Sequence, residues 1–336
     1  AFEIVGVPDW IAHRLWIGTL LFAAGLGVRW LGRLLGLSPG GAIAAAVVYQ
    51  CSPYLLPYVS RTSVMLLPWA GLGWIVGLTM LATLRSRWRH AAVLALVVFT
   101  VGAVNATALA MIVPAPVLWL VHAAWSGTTT WRRAGATALR VGALCTTVSL
   151  WWIVALVLQG RHGADVLAYS ETLEAVTFTS SSTEVLRGLG YWLFYVRDPY
   201  AATTTAALDH LVSGRTVAIG LLVVVIGIAG VALTRWAERR FAAMLVGAGV
   251  VLGVGLHPFD DPSPLMRLLT GGGDSGIALA LRSSTRAVPM SVLGLALGAG
   301  ALVAALRRFD ARPLLGRITP STTAAAAVIV LAVAGL

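Results

Sequence analysis

The chain carries 24 arginines and no lysine, and it keeps most of them at alternate ends of long apolar runs. Arg29 and Arg33 follow the first run, and Arg85, Arg87 and Arg89 follow the third. Arg132, Arg133 and Arg140 precede the sixth. Arg235, Arg239 and Arg240 join the seventh and eighth, and Arg307, Arg308, Arg312 and Arg317 join the ninth and tenth. Nearly every acidic residue falls in the intervening loops. A run of about 20 apolar residues matches the thickness of a bilayer's hydrocarbon core. Inside that core the backbone must satisfy its own hydrogen bonds, which a helix does. Arginine collects in cytoplasmic loops, so the alternation predicts an oriented, all-α, polytopic membrane protein whose acid-bearing face is extracytoplasmic.

The runs predict ten membrane segments: 12–28, 41–58, 64–84, 90–104, 107–125, 141–158, 215–234, 241–257, 288–306 and 323–336. Several fall short of the usual span. The pair around Asn105 reads either as one kinked element or as a re-entrant hairpin, with Asn105 capping a helix at its tip. Charged residues make up 11% of the chain, against about 25% in soluble domains, which excludes a soluble class. The net charge of +11 does not indicate nucleic acid, because the arginines sit at the ends of apolar runs and not on one contiguous stripe. Cys51 and Cys145 both lie in apolar stretches and read as small buried hydrophobes, not as a disulfide framework. The first residues, Ala1-Phe2-Glu3, read like the middle of a longer protein, and Leu336 ends inside an apolar run. The expectation is a fragment, cut at both ends, with residues 1–336 as one transmembrane domain and no signal peptide.

The outer loops are 59–63, the tip near 105–106, 159–214 and 258–287. Two are long, and long loops are usually functional. The 159–214 loop shows helical patches around 182–196 and 201–212. Leu186, Leu189, Tyr191, Trp192, Phe194 and Tyr195 predict a helix lying at the membrane interface. Gly271-Gly272-Gly273 has no preceding strand and no following Lys-Ser/Thr, so it reads as a turn and not a phosphate loop.

The later segments 215–234, 241–257 and 288–306 hold no ionisable residue at mid-depth, which argues against an ion-coupled transporter. Chemistry is therefore expected at the outer face. Arginine forks bind phosphate, and a carboxylate can take a proton from a sugar hydroxyl. Arg61, flanked by Ser60 and Thr62, is a candidate phosphate ligand, as are Arg282 and Arg286 around Ser283-Ser284-Thr285, and Arg197. An interfacial arginine that snorkels explains the same pattern. Glu171 is a candidate general base or a solvated loop carboxylate. Asp198 is a second catalytic candidate or a helix cap. Tyr191, Trp192 and Tyr195 offer faces to sugars, and equally to a membrane. Asp260-Asp261, between Pro258 and Pro262, reads as a turn more readily than a metal pair. The arginine clusters on the cytoplasmic side offer a surface to anionic lipid or an acidic protein, although topology alone accounts for them.

Four stretches add a family resemblance: Tyr58–Trp69 (YVSRTSVMLLPW), Gly102–Leu109 (GAVNATAL), Gly188–Pro199 (GLGYWLFYVRDP) and Ser284–Pro289 (STRAVP). Their order and spacing resemble the multi-spanning core of the actinobacterial α-(1→3)-arabinofuranosyltransferase D family. The resemblance implies a C-type (GT-C) membrane glycosyltransferase fold. It also implies a polyprenyl-phosphate arabinofuranose donor, and an arabinan acceptor in arabinogalactan or lipoarabinomannan at the outer side of the plasma membrane. It implies an inverting displacement with no firm cofactor; whether a divalent metal takes part stays open. In that fold the first outer loop carries a catalytic Asp or Glu, and this chain is expected to begin after it. Among the residues present, the resemblance leaves Glu171 as the carboxylate nearest the site and Arg61 and Arg286 as phosphate ligands. The rival readings are another polyprenyl-phosphate enzyme such as a mannosyltransferase, a flippase or transporter of lipid-linked sugar, and a scaffold for other cell-wall enzymes.

Overall fold

The computed structural model describes residues 6–59, 62–103, 105–163, 171–197, 199–202, 204–270, 282–307 and 319–336, with the backbone alone at 269 and 270. Among them there is no strand beyond one isolated bridge, Arg197 to Ala202, and the architecture is all-α. The long helices are α1 (Asp9–Leu34), α2 (Pro39–Gln50), α4 (Leu67–Arg85), α5 (Trp88–Gly102), α7 (Pro114–Trp125) and α8 (Trp131–His162). They continue with α12 (Gly214–Leu233), α13 (Arg239–Val254), α15 (Val288–Leu306) and α16 (Pro320–Ala334). The short ones are α3 (Leu56–Val59), α6 (Ala106–Ile112), α9 (Leu173–Thr177), α10 (Ser182–Leu186), α11 (Ala206–Val212) and α14 (Pro264–Thr270).

Helix starts follow local chemistry. Proline occupies the first turn of α2, α4, α7, α15 and α16, where its missing N–H leaves no bond unmade. Ser38, Thr130, Ser213 and Thr319 cap α2, α8, α12 and α16 with side-chain oxygens. Each of the ten expected segments overlaps a helix. Seven helical stretches are long and apolar enough to cross a membrane: Asp9–Leu34, Pro39–Val59, Ser63–Arg85, Ala106–Trp125, Trp131–His162, Gly214–Leu233 and Ser284–Leu306. The chain is a membrane protein. Helices α5, α13 and α16 are shorter, at 15, 16 and 15 residues. The expected segment 41–58 is broken at Cys51–Leu55, where Pro53 removes a backbone donor and a 3-10 turn replaces the α-helix. Around Asn105 the chain passes from α5 into α6, which touch near the turn, and a further break at Pro114 leads into α7.

Long-range hydrogen bonds sort the loops into two ends as the charges require. At the arginine-rich end, Trp236 Nε1 donates to the Leu35 carbonyl at 2.7 Å and His122 Nε2 meets Glu238 Oε2 at 2.6 Å. At the acidic end, Ser180 Oγ donates to the Val254 carbonyl at 3.0 Å, and Arg286 Nη1 to Asn105 Oδ1 at 2.7 Å. Helix α15 runs through the middle, packed by α2, α12, α13 and α16, and nearly every residue on it is buried. In lipid, helices associate through close packing of small residues. A Cβ placed on Gly230 of α12 would land on the Gly298 backbone of α15, so only glycine permits this approach.

The large loop at the acidic end differs from its sequence expectation. The single helix expected over 182–196 is two separate turns, α10 and a 3-10 turn at Trp192–Tyr195. Gly188 (φ +82°) and Gly190 (φ +99°) break it. Leu189 and Phe194 turn inward and pack with Ala207, making a small second core. Gly271-Gly272-Gly273 lies outside the described residues.

Candidate functional site

The acidic end gathers residues from three distant parts of the sequence. The α5–α6 turn supplies Asn105. The 3-10 turn Ser284–Ala287, which leads into α15, supplies Arg286. The large loop supplies Glu171 and Tyr191. Asn105 Oδ1 caps α6 by accepting from the Ala108 N–H at 2.8 Å, and the same oxygen accepts from Arg286 Nη1. Arg286 also lies close enough to the Tyr191 hydroxyl to pull its pKa down. It is half-buried and forms no ion pair among the described residues. Its Nε is buried with no hydrogen-bond partner among them, as is the hydroxyl of the adjacent Thr285. A half-buried cation that, among the described residues, is hydrogen-bonded by a neutral amide and paired with no carboxylate keeps its charge available for an anion.

Arg282 Nη2 lies 3.7 Å from Glu171 Oε2, beyond hydrogen-bond length. The Glu171 side chain is 37% exposed and reaches solvent. Tyr191 is under the electrostatic influence of both Arg286 and Glu171. Burial pushes the Tyr191 phenol above its ordinary value, and Arg286 pulls the other way. Its ring stacks on Tyr58 at 5.0 Å between centroids, Tyr58 lies against Tyr54 at 5.1 Å, and Trp192 meets Tyr191 edge-on at 6.1 Å. The result is an aromatic wall beside a cationic group and an accessible carboxylate.

A cavity of about 410 Å³ lies beneath. It runs between α4, α5, α6, α7 and α8, from Ala106 at the base of the Asn105 cap to Ala138 toward the arginine-rich end. Its lining is apolar apart from Thr79, Thr146, Ser149 and Cys145. Small-ligand pockets commonly hold about 300–1,000 Å³. Much of α8, which forms one wall, faces outward from the protein.

Of the residues singled out from sequence, the structure brings together Glu171, Arg282, Arg286, Tyr191 and Trp192. Arg61 and Asp198 lie outside the described residues. Arg197 is exposed, and its backbone bridges Ala202. Tyr195 points into a separate network, donating its hydroxyl proton to Glu184 Oε2. In that network Arg187 Nη1 bonds Glu184 Oε1 at 2.8 Å, Arg187 Nη2 bonds the His210 carbonyl at 3.0 Å, and Gly190 N donates to the Tyr195 hydroxyl at 3.3 Å. Every Glu184 oxygen is thus occupied in tying the loop together. Asp261 pairs with Arg267, and the backbone from Pro258 to Asp261 closes a turn, as expected for this pair. Among the described residues no group of three or more His, Cys, Asp or Glu could hold a metal ion. Sequence reasoning read Asn105 as a cap and missed its second role, because the partner lies 181 residues away.

Comparison with known proteins places this architecture. Residues 1–336 match the family model described as alpha-(1->3)-arabinofuranosyltransferase, N-terminal GT-C domain. The chain is 33% identical over 306 residues to the alpha-(1->3)-arabinofuranosyltransferase of Mycolicibacterium smegmatis, a match covering 88% of this chain and 20% of that protein. It is 31% identical over 309 residues to the protein of the same name from Mycobacterium tuberculosis, covering 90% and 21%. The chain thus spans about a fifth of the length of these relatives. The cryo-EM structure of arabinofuranosyltransferase AftD from mycobacteria superposes with a TM-score of 0.69 at 23% identity, covering 99% of this chain and 21% of that one. A mutant form of that protein gives 0.52 at 22% identity, with 99% and 22% covered. Both share the fold.

Proposed function

The chain belongs to the family of alpha-(1->3)-arabinofuranosyltransferase N-terminal GT-C domains, and on that premise we propose that its acidic end transfers arabinofuranose from a polyprenyl-phosphate donor to an arabinan acceptor. The reaction takes place at the extracytoplasmic face of the plasma membrane. The observation that carries the reading is Arg286, a half-buried cation that forms no ion pair among the described residues, near the accessible Glu171 and an apolar cavity. The cation suits the donor phosphate, the carboxylate the acceptor hydroxyl and the cavity the lipid.

The acceptor hydroxyl oxygen attacks the anomeric carbon as the bond from that carbon to the donor phosphate oxygen breaks. Glu171 takes the hydroxyl proton. The electron pair passes to the phosphate, and Arg286 with Arg282 stabilises the charge that grows there. Tyr191 and Trp192 bound the space where a sugar would sit. The apolar lining of the cavity favours this reading over a flippase, which must carry a polar headgroup through the membrane.

The test uses the intact protein in membranes, a short arabinan acceptor, and polyprenyl-phosphate arabinofuranose or mannose as donor. Glu171→Gln is expected to abolish turnover while donor binding survives. Arg286→Gln is expected to raise the donor KM about tenfold or more, since a charge-assisted phosphate contact contributes about 1.5–3 kcal/mol. Normal kinetics in both variants would sink the proposal. Transfer of mannose in place of arabinose would redirect it within the fold.

A further inference from the structure

We propose that Asn105 is a positioning residue for the donor phosphate: it fixes Arg286 in place while leaving its charge unspent. This rests on the donor-phosphate reading of Arg286 given above. The geometry is specific. One oxygen, Asn105 Oδ1, accepts both the Ala108 N–H of the α6 cap at 2.8 Å and Arg286 Nη1 at 2.7 Å. Asn105 therefore joins the α5–α6 turn to the turn that starts α15, across 181 residues.

The residue type matters more than the bond. A fixed arginine in a half-buried setting is ordinarily held by aspartate or glutamate, which neutralises it. Asparagine gives the same acceptor geometry with no charge. Asparagine and aspartate are also equally good helix N-caps. Replacing Asn105 by Asp thus keeps the cap and the bond to Arg286, and changes one thing, a negative charge placed on the guanidinium. A purely structural Asn105 would tolerate that change, because cap and bond both persist. A residue that reserves the charge of Arg286 would not.

The experiment compares wild type, Asn105→Asp, Asn105→Ala and Arg286→Gln in the intact membrane protein, measuring KM and kcat for a polyprenyl-phosphate sugar donor. Asn105→Asp is expected to fold as well as wild type by thermal melt, and to raise the donor KM about tenfold with a much smaller change in kcat. Asn105→Ala is expected to lower stability as well, since it uncaps α6. If Arg286→Gln weakens the donor but Asn105→Asp leaves its KM unchanged, the inference about Asn105 is wrong and the phosphate reading stands. If Arg286→Gln is itself silent, the phosphate reading fails first, and this inference fails with it.

Discussion

Glu184→Gln isolates the charge that holds the large loop. The Arg187 side chain is 4% exposed and that of Glu184 19%, with Nη1 and Oε1 2.8 Å apart. Charge centres about 4 Å apart attract by about 4 kcal/mol at an effective dielectric near 20. Gln keeps the shape and one oxygen for Arg187, and its amide can donate to the Tyr195 hydroxyl, so charge is the main loss. What remains is Arg187 buried with two neutral acceptors, the new amide oxygen at position 184 and the His210 carbonyl, and with its Nε already unsatisfied. Removing one partner of a buried pair costs about 3–5 kcal/mol, and the partial exposure of Glu184 puts this case near 3 kcal/mol. That is roughly a hundredfold rise in the open population of the loop. Amide exchange across 182–212 should report the opening, and a thermal melt in detergent should report any global loss. Arg187→Met should rescue Glu184→Gln, because an apolar side chain then fills the site and no orphaned cation is left. Exchange in Glu184→Gln within a factor of three of wild type, or a double variant less stable than Glu184→Gln alone, would refute this account of the loop.

Two further outcomes are expected. Gly142 lines the cavity under the site, and a Cβ there meets nothing within 4 Å. Gly142→Leu should therefore fill the cavity without a clash and gain up to about 1 kcal/mol of helix propensity. It should raise the KM for long-chain polyprenyl donors and spare a short-chain analogue; equal kinetics for the two donors would remove the cavity from the lipid path. Burial, and then Arg187, lower the pKa of His210 below its ordinary 6.5. The unfolded loop then takes up the proton first, so stability is full above about pH 6.5 and falls as pH drops below it. Amide exchange of α11 should quicken between pH 7.5 and 5.5 in wild type beyond the change seen in His210→Gln, and an identical pH response in both would count against it.

Much of the fold was legible because membrane physics writes it in one dimension. Charge exclusion marks helices and arginine marks a side, so each apolar run overlaps a helix here. Breaks inside the runs were harder. Pro53 and Pro114 interrupt spans that hydropathy alone reads as continuous, and Gly188 and Gly190 split a loop segment whose aromatic content suggested one helix. At the site, residue type picked out Glu171, Arg282, Arg286, Tyr191 and Trp192. It did not separate them from Tyr195, whose hydroxyl is engaged by Glu184. That distinction depends on which way the chain turns at two glycines, and it appears only in three dimensions.

The placement of Arg286 explains why the site sits where it does. A ligand that carries phosphate and a long lipid must be met at the boundary between water and hydrocarbon. A cation there is hard to hold still, because arginine side chains lose entropy on fixing and are drawn toward water. Here the fixing comes from the best-buried helix in the molecule: the turn bearing Arg286 runs straight into α15, whose flanks admit α12 and α2 only at glycines. The N-terminal end of α15 adds partial positive charge in the same place. Packing at mid-membrane and the electrostatics of the acidic end are therefore one design. A substitution that loosens the α12–α15 approach at Gly230 or Gly298 would reach the proposed phosphate site through the axis of α15 itself.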